Sequence, residues 1–310
     1  MSDERPLVSI HVITYNHENY IGPALQSALD QDYPNLEIVV ADDESKDGTR
    51  DVVADFARRY PDRVVAILEP HAGITGNYNR ALQRCTGKYV AILNGDDLYL
   101  PGKISAQVAW LEAREQRTLC AHDVEHFDSS SGATLKLQSQ LGPMREGAGA
   151  ADFIYRGCPF ASVSVMVRRS ALPPAGMSTR LRTVLDWKFS IDALVGGGEF
   201  GYVDGVLARY RVHPTNVINT HSDEMWLDVM TTLSLLEAEH PQLARVVRRG
   251  RARSLYRRGI RRLQAGDAAD ARVWLEAAAA EDLSAVPKLP AWYVLARLPA
   301  AWRQRLSKRL

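Results

Sequence analysis

The sequence predicts an α/β fold, a mostly parallel sheet with helices on both faces, followed by an all-helical C-terminal extension. Three observations predict it. Short, β-branched apolar runs alternate with helix-like stretches through the N-terminal third. Each of those runs stops abruptly on polar residues. From about Ser222 the texture becomes wholly helical and rich in Arg and Ala. Strand alternating with helix implies parallel crossovers, and continuous apolar runs suit strands covered on both faces.

The elements follow in order. Leu7–Thr14, Leu36–Ala41, Val64–Leu68 and Tyr89–Leu93 read as strands. Tyr20–Gln31, Gly48–Tyr60, Ile74–Cys85 and Pro101–Arg117 read as helices, the last opening on a proline that suits a first turn. From Leu119 the rhythm breaks. "LCAHDVEHFD" reads as a strand, Ser129–Ala150 as a long and loosely structured excursion, "ASVSVMVRR" as a strand and "VLDWKFSIDALVGG" as a helix. Phe200–Val217 reads as two short strands parted at Asp204–Gly205, a strong turn dipeptide. Leu243–Leu283 reads as a helical hairpin broken at Gly266–Asp267. The last stretch, "LPAWYVLARLPAAWRQRLSKRL", has the composition of an interfacial amphipathic segment. The domains expected are 1–221, divided into a nucleotide-binding half (1–118) and an acceptor-side half (119–221), and a helical extension over 222–310.

Bulk composition narrows the function. The 310 residues are 46% hydrophobic and 24% charged, with a formal net charge of +1, which argues against a dedicated nucleic-acid binder. Cys85, Cys120 and Cys158 are odd in number and far apart, so neither a disulfide framework nor a metal knuckle is expected. The opening "MSDERPLVSI" lacks a signal-peptide pattern, and no run approaches the roughly 18 apolar residues of a membrane span. A cytoplasmic protein is expected.

The strand ends carry the chemistry. Thr14–Tyr15–Asn16, Asp42–Asp43–Glu44–Ser45 and Asn94–Gly95–Asp96–Asp97 close the first, second and fourth strands. In a parallel sheet these ends share one rim, where ligands bind. A dinucleotide site would need glycines in the first strand-to-helix turn, yet that turn reads "TYNHENY". A diphosphate is then best neutralised by a divalent cation, Mn²⁺ or Mg²⁺, on the fourth-strand carboxylates. Either acidic pair taken alone also fits a solvated turn or a helix cap.

Four stretches together, "VSIHVITYNHENYIGPALQSALDQDYPNLEIVVADDESKDGT", "GNYNRALQRCTGKYVAILNGDDLYLPGKISAQVAWLE", "LDWKFSIDAL" and "LARYRVHPTN", resemble the family 2 glycosyltransferases with the Rossmann-like GT-A fold. The resemblance runs from about Pro6 to Asn219 and implies a metal-dependent, inverting, single-addition transferase that uses a nucleotide sugar. It implies that Thr14, Tyr15 and Asn16 contact the nucleotide, that Asp42 accepts a hydrogen bond from the base, and that Asp43 shapes that pocket. It further implies Asp96 on the ribose, Asp97 on the metal, Asp186 as catalytic base and His213 at the metal or diphosphate. Asn79, Lys103 and Arg211 fall in matching stretches as donor-site support. Asn94 stands where the family usually has an acid, Glu44 where it has Gly, Leu185 where it has Glu, and Tyr78–Asn79 where it has Arg-Asn. The Gln-x-x-Arg-Trp motif of processive synthases is absent from the sequence. A uridine donor is the family's commonest, and a glycan or lipid-linked glycan is the implied acceptor. The basic C-terminal helices point to an anionic membrane surface as a partner. The rival readings are a non-catalytic nucleotide-sugar-binding scaffold acting through its helical tail, and a sugar nucleotidyltransferase. The latter would want a Gly-rich basic loop that "TYNHENY" does not supply.

Overall fold

A computed structural model describes residues 5–142, 146–158, 160–216 and 222–286. They fall into two compact units, one made of residues 1–153 and 158–228 and the other of 154–157 and 229–310.

The first unit is built on β1 (Val8–Thr14), which lies between β2 (Leu36–Asp42) and β4 (Tyr89–Asn94), parallel to both. β3 (Val64–Leu68) adds a parallel edge beside β2. Register decides what the rim contains. Thr14 pairs with Asp42 and Ile13 with Asn94, so the three polar strand ends finish level. Ser9 and His11 are as buried as Val8, Ile10 and Val12, which means both faces of β1 are covered. α1 (Ile21–Leu29), α2 (Thr49–Arg59) and α4 (Lys103–Glu112) supply Leu25, Ala28, Val53, Phe56, Ile104 and Leu111 to this core. α2 carries Asp51 in its first turn and Arg58 and Arg59 in its last, which suits the helix dipole at both ends. α3 (Gly73–Arg84) completes the parallel half.

Beyond β4 the structure departs from the sequence reading, first in α4, which ends at Glu112 where a helix to Arg117 is expected. The Ser129–Ala150 excursion contains β7 (Thr134–Leu137), paired with β6 (Arg117–Asp128), and α5 (Ala150–Arg156) begins at its end. The strand predicted over Ala161–Arg169 shortens to β8 (Met166–Arg168), because Ser162–Ser164 turn as a 3₁₀ helix. The two strands predicted around Asp204–Gly205 are one, β9 (Glu199–Val212), parallel to β6. Its partners jump from His122↔Val203 to Asp123↔Val206, so Asp204–Gly205 form a bulge. Gly205, at φ +108°, accommodates it. A short β5 (Leu98–Tyr99) pairs with β9, giving the sheet order β3-β2-β1-β4-β8-β6-β9-β5. α6 (Leu185–Val195) precedes β9.

β9 also approaches α4 closely. A Cβ on Gly201 would lie 1.8 Å from the Trp110 ring. Gly201→Ala is therefore expected to lower stability by about 1–3 kcal/mol through overpacking. Urea titration reads this directly, and an unchanged midpoint would refute the tight fit.

α7 (Ser222–Glu239) follows, its residues to Asp228 lying in the first unit. In the second unit α8 (Ala244–Gln264) and α9 (Ala268–Asp282) form the expected hairpin. It turns at Gly266 (φ +93°), and Asp267 caps α9 by accepting the Asp270 N–H at 3.1 Å. A Cβ on Gly259 would sit 2.9 Å from Leu275, so the two helices meet at that glycine. No helix among the described residues is long and apolar enough to cross a membrane. The interfacial segment predicted at the C-terminus lies outside the described residues.

Candidate active site

At the end of β1 the backbone of Asn16 turns left-handed, at φ +54°, a conformation Asn tolerates. Its N–H donates to Ser45 Oγ at 2.8 Å, and its side-chain oxygen accepts the Lys46 N–H at 2.9 Å. Ser45 in turn donates to Asp42 through its N–H at 2.9 Å and through its hydroxyl. Asp42 is fully buried, with Arg50 at 3.5 Å as its cation. Its lone pairs thus tie the ends of β1 and β2 together. Asp43 accepts the Ala72 N–H at 2.7 Å and has His71 Nδ1 at 2.9 Å and Arg80 at 3.9 Å. Tyr15 is exposed, its ring 5.7 Å from that of His71. A cavity of about 360 Å³ opens alongside, lined by Glu44, Ser45, Lys46, Arg50, Leu68 and Pro70 among others.

The adjacent carboxylates after β4 point to different partners. Asp97 is fully buried and accepts the Arg211 N–H and the Asn94 amide, each at 2.9 Å. Burial, and then the neighbouring Asp96, push its carboxyl well above the usual range, while those two donors pull it back. Arg211 also donates from Nε to the Asp96 carbonyl at 2.8 Å. Its guanidinium sits 4.7 Å from both the Tyr20 and Phe127 rings. The Asp96 side chain faces His213, with Oδ2 3.0 Å from Nε2. Nδ1 of His213 meets Thr215 Oγ1 at 2.8 Å, and its backbone N–H donates to Asn216 Oδ1 at 2.6 Å. Gly95 leaves room beneath this pair, since a Cβ there would fall within 3.0 Å of Thr14 Oγ1 and His17 Nδ1. Both of those atoms are buried without a hydrogen-bond partner.

Asp186 lies in the first turn of α6, where its carboxylate accepts the Trp187 N–H at 2.9 Å. Burial raises its pKa, and that N–H partly offsets the rise. The loop leading to it is pinned from two helices. Asn79 of α3 exchanges hydrogen bonds with Met177 at 2.7 and 2.9 Å, and Thr75 donates to the Leu181 carbonyl. Asp228 of α7 accepts the N–H groups of Arg182 and Thr183 at 2.7 and 2.6 Å, and the Thr183 hydroxyl at 2.9 Å. Burial first, and then the charges of Asp97, Asp96 and Asp186, raise the pKa of the Tyr210 phenol.

The structure therefore brings Thr14, Tyr15, Asn16, Asp42 and Asp43 to one stretch of the rim, and Asp96, Asp97, Arg211 and His213 to the next. Two candidates stand apart. Lys103 is fully buried, 2.6 Å from Gln107 Oε1 and over the Tyr99 ring, and burial lowers its pKa to about 7. Asn79 spends its amide on the Met177 loop. Arg50, His71, Arg80, His17, Tyr20 and Asp228 were not picked out from sequence. Their partners lie on other elements, and only "HENY" and "DGTR" beside the motifs hinted at the nearest of them.

The donor set suits a hard divalent cation. Nε2 of His213 lies 3.0 Å from Asp96 Oδ2 and 3.2 Å from the Asn216 amide nitrogen, so one imidazole and one carboxylate meet here. Mg²⁺ and Mn²⁺ accept such a small protein contribution, with water and phosphate oxygens filling the remaining positions. Each oxygen of the buried Asp97 accepts one hydrogen bond, from the Arg211 N–H and from the Asn94 amide.

Comparison with known proteins bears on this geometry. The model of glycosyl transferase family 2 matches residues 9–172. TuaG of Bacillus subtilis (strain 168), named as a teichuronic acid biosynthesis glycosyltransferase, is 36% identical over 115 residues, 37% of this chain and 45% of TuaG. The chain spans about half the length of the curated relatives it matches. Among solved structures, mannosyltransferase PcManGT from Pyrobaculum calidifontis, in complex with GDP-Man and Mn²⁺, has a TM-score of 0.60 at 20% identity. That match covers 99% of this chain and 85% of PcManGT. S. aureus TarS 1–349 in complex with UDP-GlcNAc has a TM-score of 0.58 at 15% identity, covering 93% and 91% of the two chains. At these identities the likeness shows the fold, which is GT-A.

Proposed function

Because the chain belongs to the family 2 glycosyltransferases, we propose that it moves one sugar from a nucleotide diphosphate sugar to a hydroxyl of a glycan or lipid-linked glycan. The displacement inverts the anomeric centre, with Asp186 as general base and Mn²⁺ or Mg²⁺ as cofactor. The proposed donor is a UDP-sugar carrying a hexose or an N-acetylhexosamine, and the proposed product is a cell-envelope polysaccharide. One observation supports this reading above the rest: on the rim of a parallel sheet the Asp42–Asp43 turn finishes level with the Asn94–Asp97 turn, where Asp96 meets His213. The neighbours' titles, with UDP-GlcNAc, GDP-Man and Mn²⁺, support the donor class and the metal.

In this reading Thr14, Tyr15 and Asn16 hold the nucleotide against the Asp42–Asp43 turn. Asp96 and His213 hold the cation, where the sequence pattern alone points to Asp97. A divalent cation held there would stabilise the charge gained by the departing diphosphate. Asp97 and Arg211 instead keep the Asn94–Asp97 turn in place. Asp186 takes the proton of the acceptor hydroxyl as the new bond to the anomeric carbon forms and the bond to phosphate oxygen breaks. Residues 1–118 then serve the donor, 119–221 the acceptor, and 222–310 form the helical extension. The cytoplasm, where the donor is available, is the compartment proposed.

Screening nucleotide sugars for slow hydrolysis with and without Mn²⁺ tests this without knowledge of the acceptor. Metal-stimulated release of one nucleoside diphosphate is the expected result. Tight binding of a nucleotide sugar without any hydrolysis would favour the scaffold reading instead.

A further inference from the structure

The two units carry opposite charge. Residues 154–157 and 229–310 hold 17 Lys and Arg against 7 Asp and Glu, a net of +10. The remaining residues hold 21 against 30, a net of −9. The near-neutral total therefore conceals a strongly basic module, the kind of asymmetry that marks attachment to an anionic surface.

Within that module the charge is organised. α8 contains no acidic residue, and Arg245, Arg249, Arg253, Arg257 and Arg261 follow one another at four-residue spacing. Such a row forms a continuous ridge along a helix, neighbours about 6 Å apart and about 24 Å from end to end. The module's acids are used elsewhere. Arg251 takes Glu237 and Glu281, Arg262 takes Asp270 and Arg272 takes Glu276. Among the described residues none of the five ridge arginines makes an ion pair. Arg249 and Arg253 lie over the Tyr155 ring, at 5.0 and 4.7 Å, so an aromatic face is set into the ridge. Partial burial, and then the charges of Arg253 and Arg261, lower the pKa of Arg257. The residues beyond 286 offer no relief, since they add six Lys and Arg and no acid.

Five guanidiniums held near one another without counter-charges call for anions from another molecule. We propose that the Arg245–Arg261 ridge of α8, with Tyr155, docks this chain on an anionic lipid bilayer. A bilayer is favoured over a polynucleotide because the chain as a whole is near neutral, with a net of +1, and because the Tyr155 ring lies among the guanidiniums, an aromatic type enriched at membrane interfaces. Guanidiniums near such a surface each contribute to attraction that decays within a Debye length. This inference goes beyond the transfer reaction and does not depend on it.

Flotation of the full chain tests it, using vesicles of phosphatidylcholine alone and of phosphatidylcholine with phosphatidylglycerol in equal parts. The wild type is expected to float with the mixed vesicles only, and less so as salt rises. Arg245→Gln, Arg257→Gln and Arg261→Gln together leave the Tyr155 contacts intact. They should lower the partition coefficient about a hundred-fold, with thermal melting and donor hydrolysis unchanged. A charge-matched control, Arg58→Gln with Arg59→Gln and Arg114→Gln in the first unit, should lower it less than about three-fold. Equal flotation of the ridge variant and the wild type would overturn the proposal, as would equal binding to neutral vesicles or equal loss in the control. An oligomer of the wild type that the ridge variant dissolves in sedimentation velocity would assign the ridge to a second copy of the chain. Polynucleotide binding lost in the variant while vesicle binding persists would also overturn it.

Discussion

Asp186→Asn is expected to retain nucleotide-sugar binding and to lose transfer by about two to four orders of magnitude, the usual worth of general-base assistance. The amide preserves the volume at the first turn of α6 and can still accept the Trp187 N–H through its oxygen. What it cannot do is take a proton. The pH dependence provides a second check. Only the ionised form of Asp186 acts as base, so the rate rises with pH through its pKa. Burial raises that pKa, so the acid limb of kcat/KM should lie above the ordinary carboxylate range. Titration calorimetry with the nucleoside diphosphate, alongside turnover, separates the two effects. Normal turnover by the variant would remove Asp186 from the mechanism.

Asp96→Asn and His213→Ala should each reduce metal-assisted binding of a nucleoside diphosphate by at least about ten-fold, and removal of the metal by a chelator should reproduce that loss in the wild type. Asp97→Asn should behave differently. Both Asp97 oxygens accept hydrogen bonds in a fully buried position, and an amide has only one oxygen to offer. Its NH₂ would face either the Arg211 N–H or the Asn94 amide, at a cost of about 1–3 kcal/mol. The melting temperature should fall for Asp97→Asn and hold for Asp96→Asn. The reverse pattern, a stable Asp97 variant that has lost metal-assisted binding, would restore the metal to Asp97.

Much of the donor half was legible because its signals are local. β1 to β4 and α1 to α3 carry apolar periods that need no partner to be recognised, and their boundaries moved by at most two residues. The second half was less legible. Asp204–Gly205 carries a turn signal, yet β9 runs through it because pairing with β6 over twelve residues outweighs a local preference. Residues 129–149 offered only the brief alternation TLKL, because β7 is a four-residue, mostly exposed strand.

The candidate site divides in the same way. Sequence by itself determined that Thr14–Asn16, Asp42–Asp43 and Asn94–Asp97 would meet, because they end parallel strands and β-strand register is set by the apolar pattern. It also determined that a basic helical module follows. What each of the two neighbouring carboxylates meets was decided only by the tertiary structure. The Arg211 N–H that occupies Asp97 comes from a strand 114 residues away, as does the His213 that faces Asp96 from 117 residues away. Asp96 and Asp97 are chemically identical along the chain. They differ chiefly in what β9 and the turn after it present to them, Arg211 to Asp97 and His213 to Asp96, and that choice rests on long-range pairing rather than on local propensity.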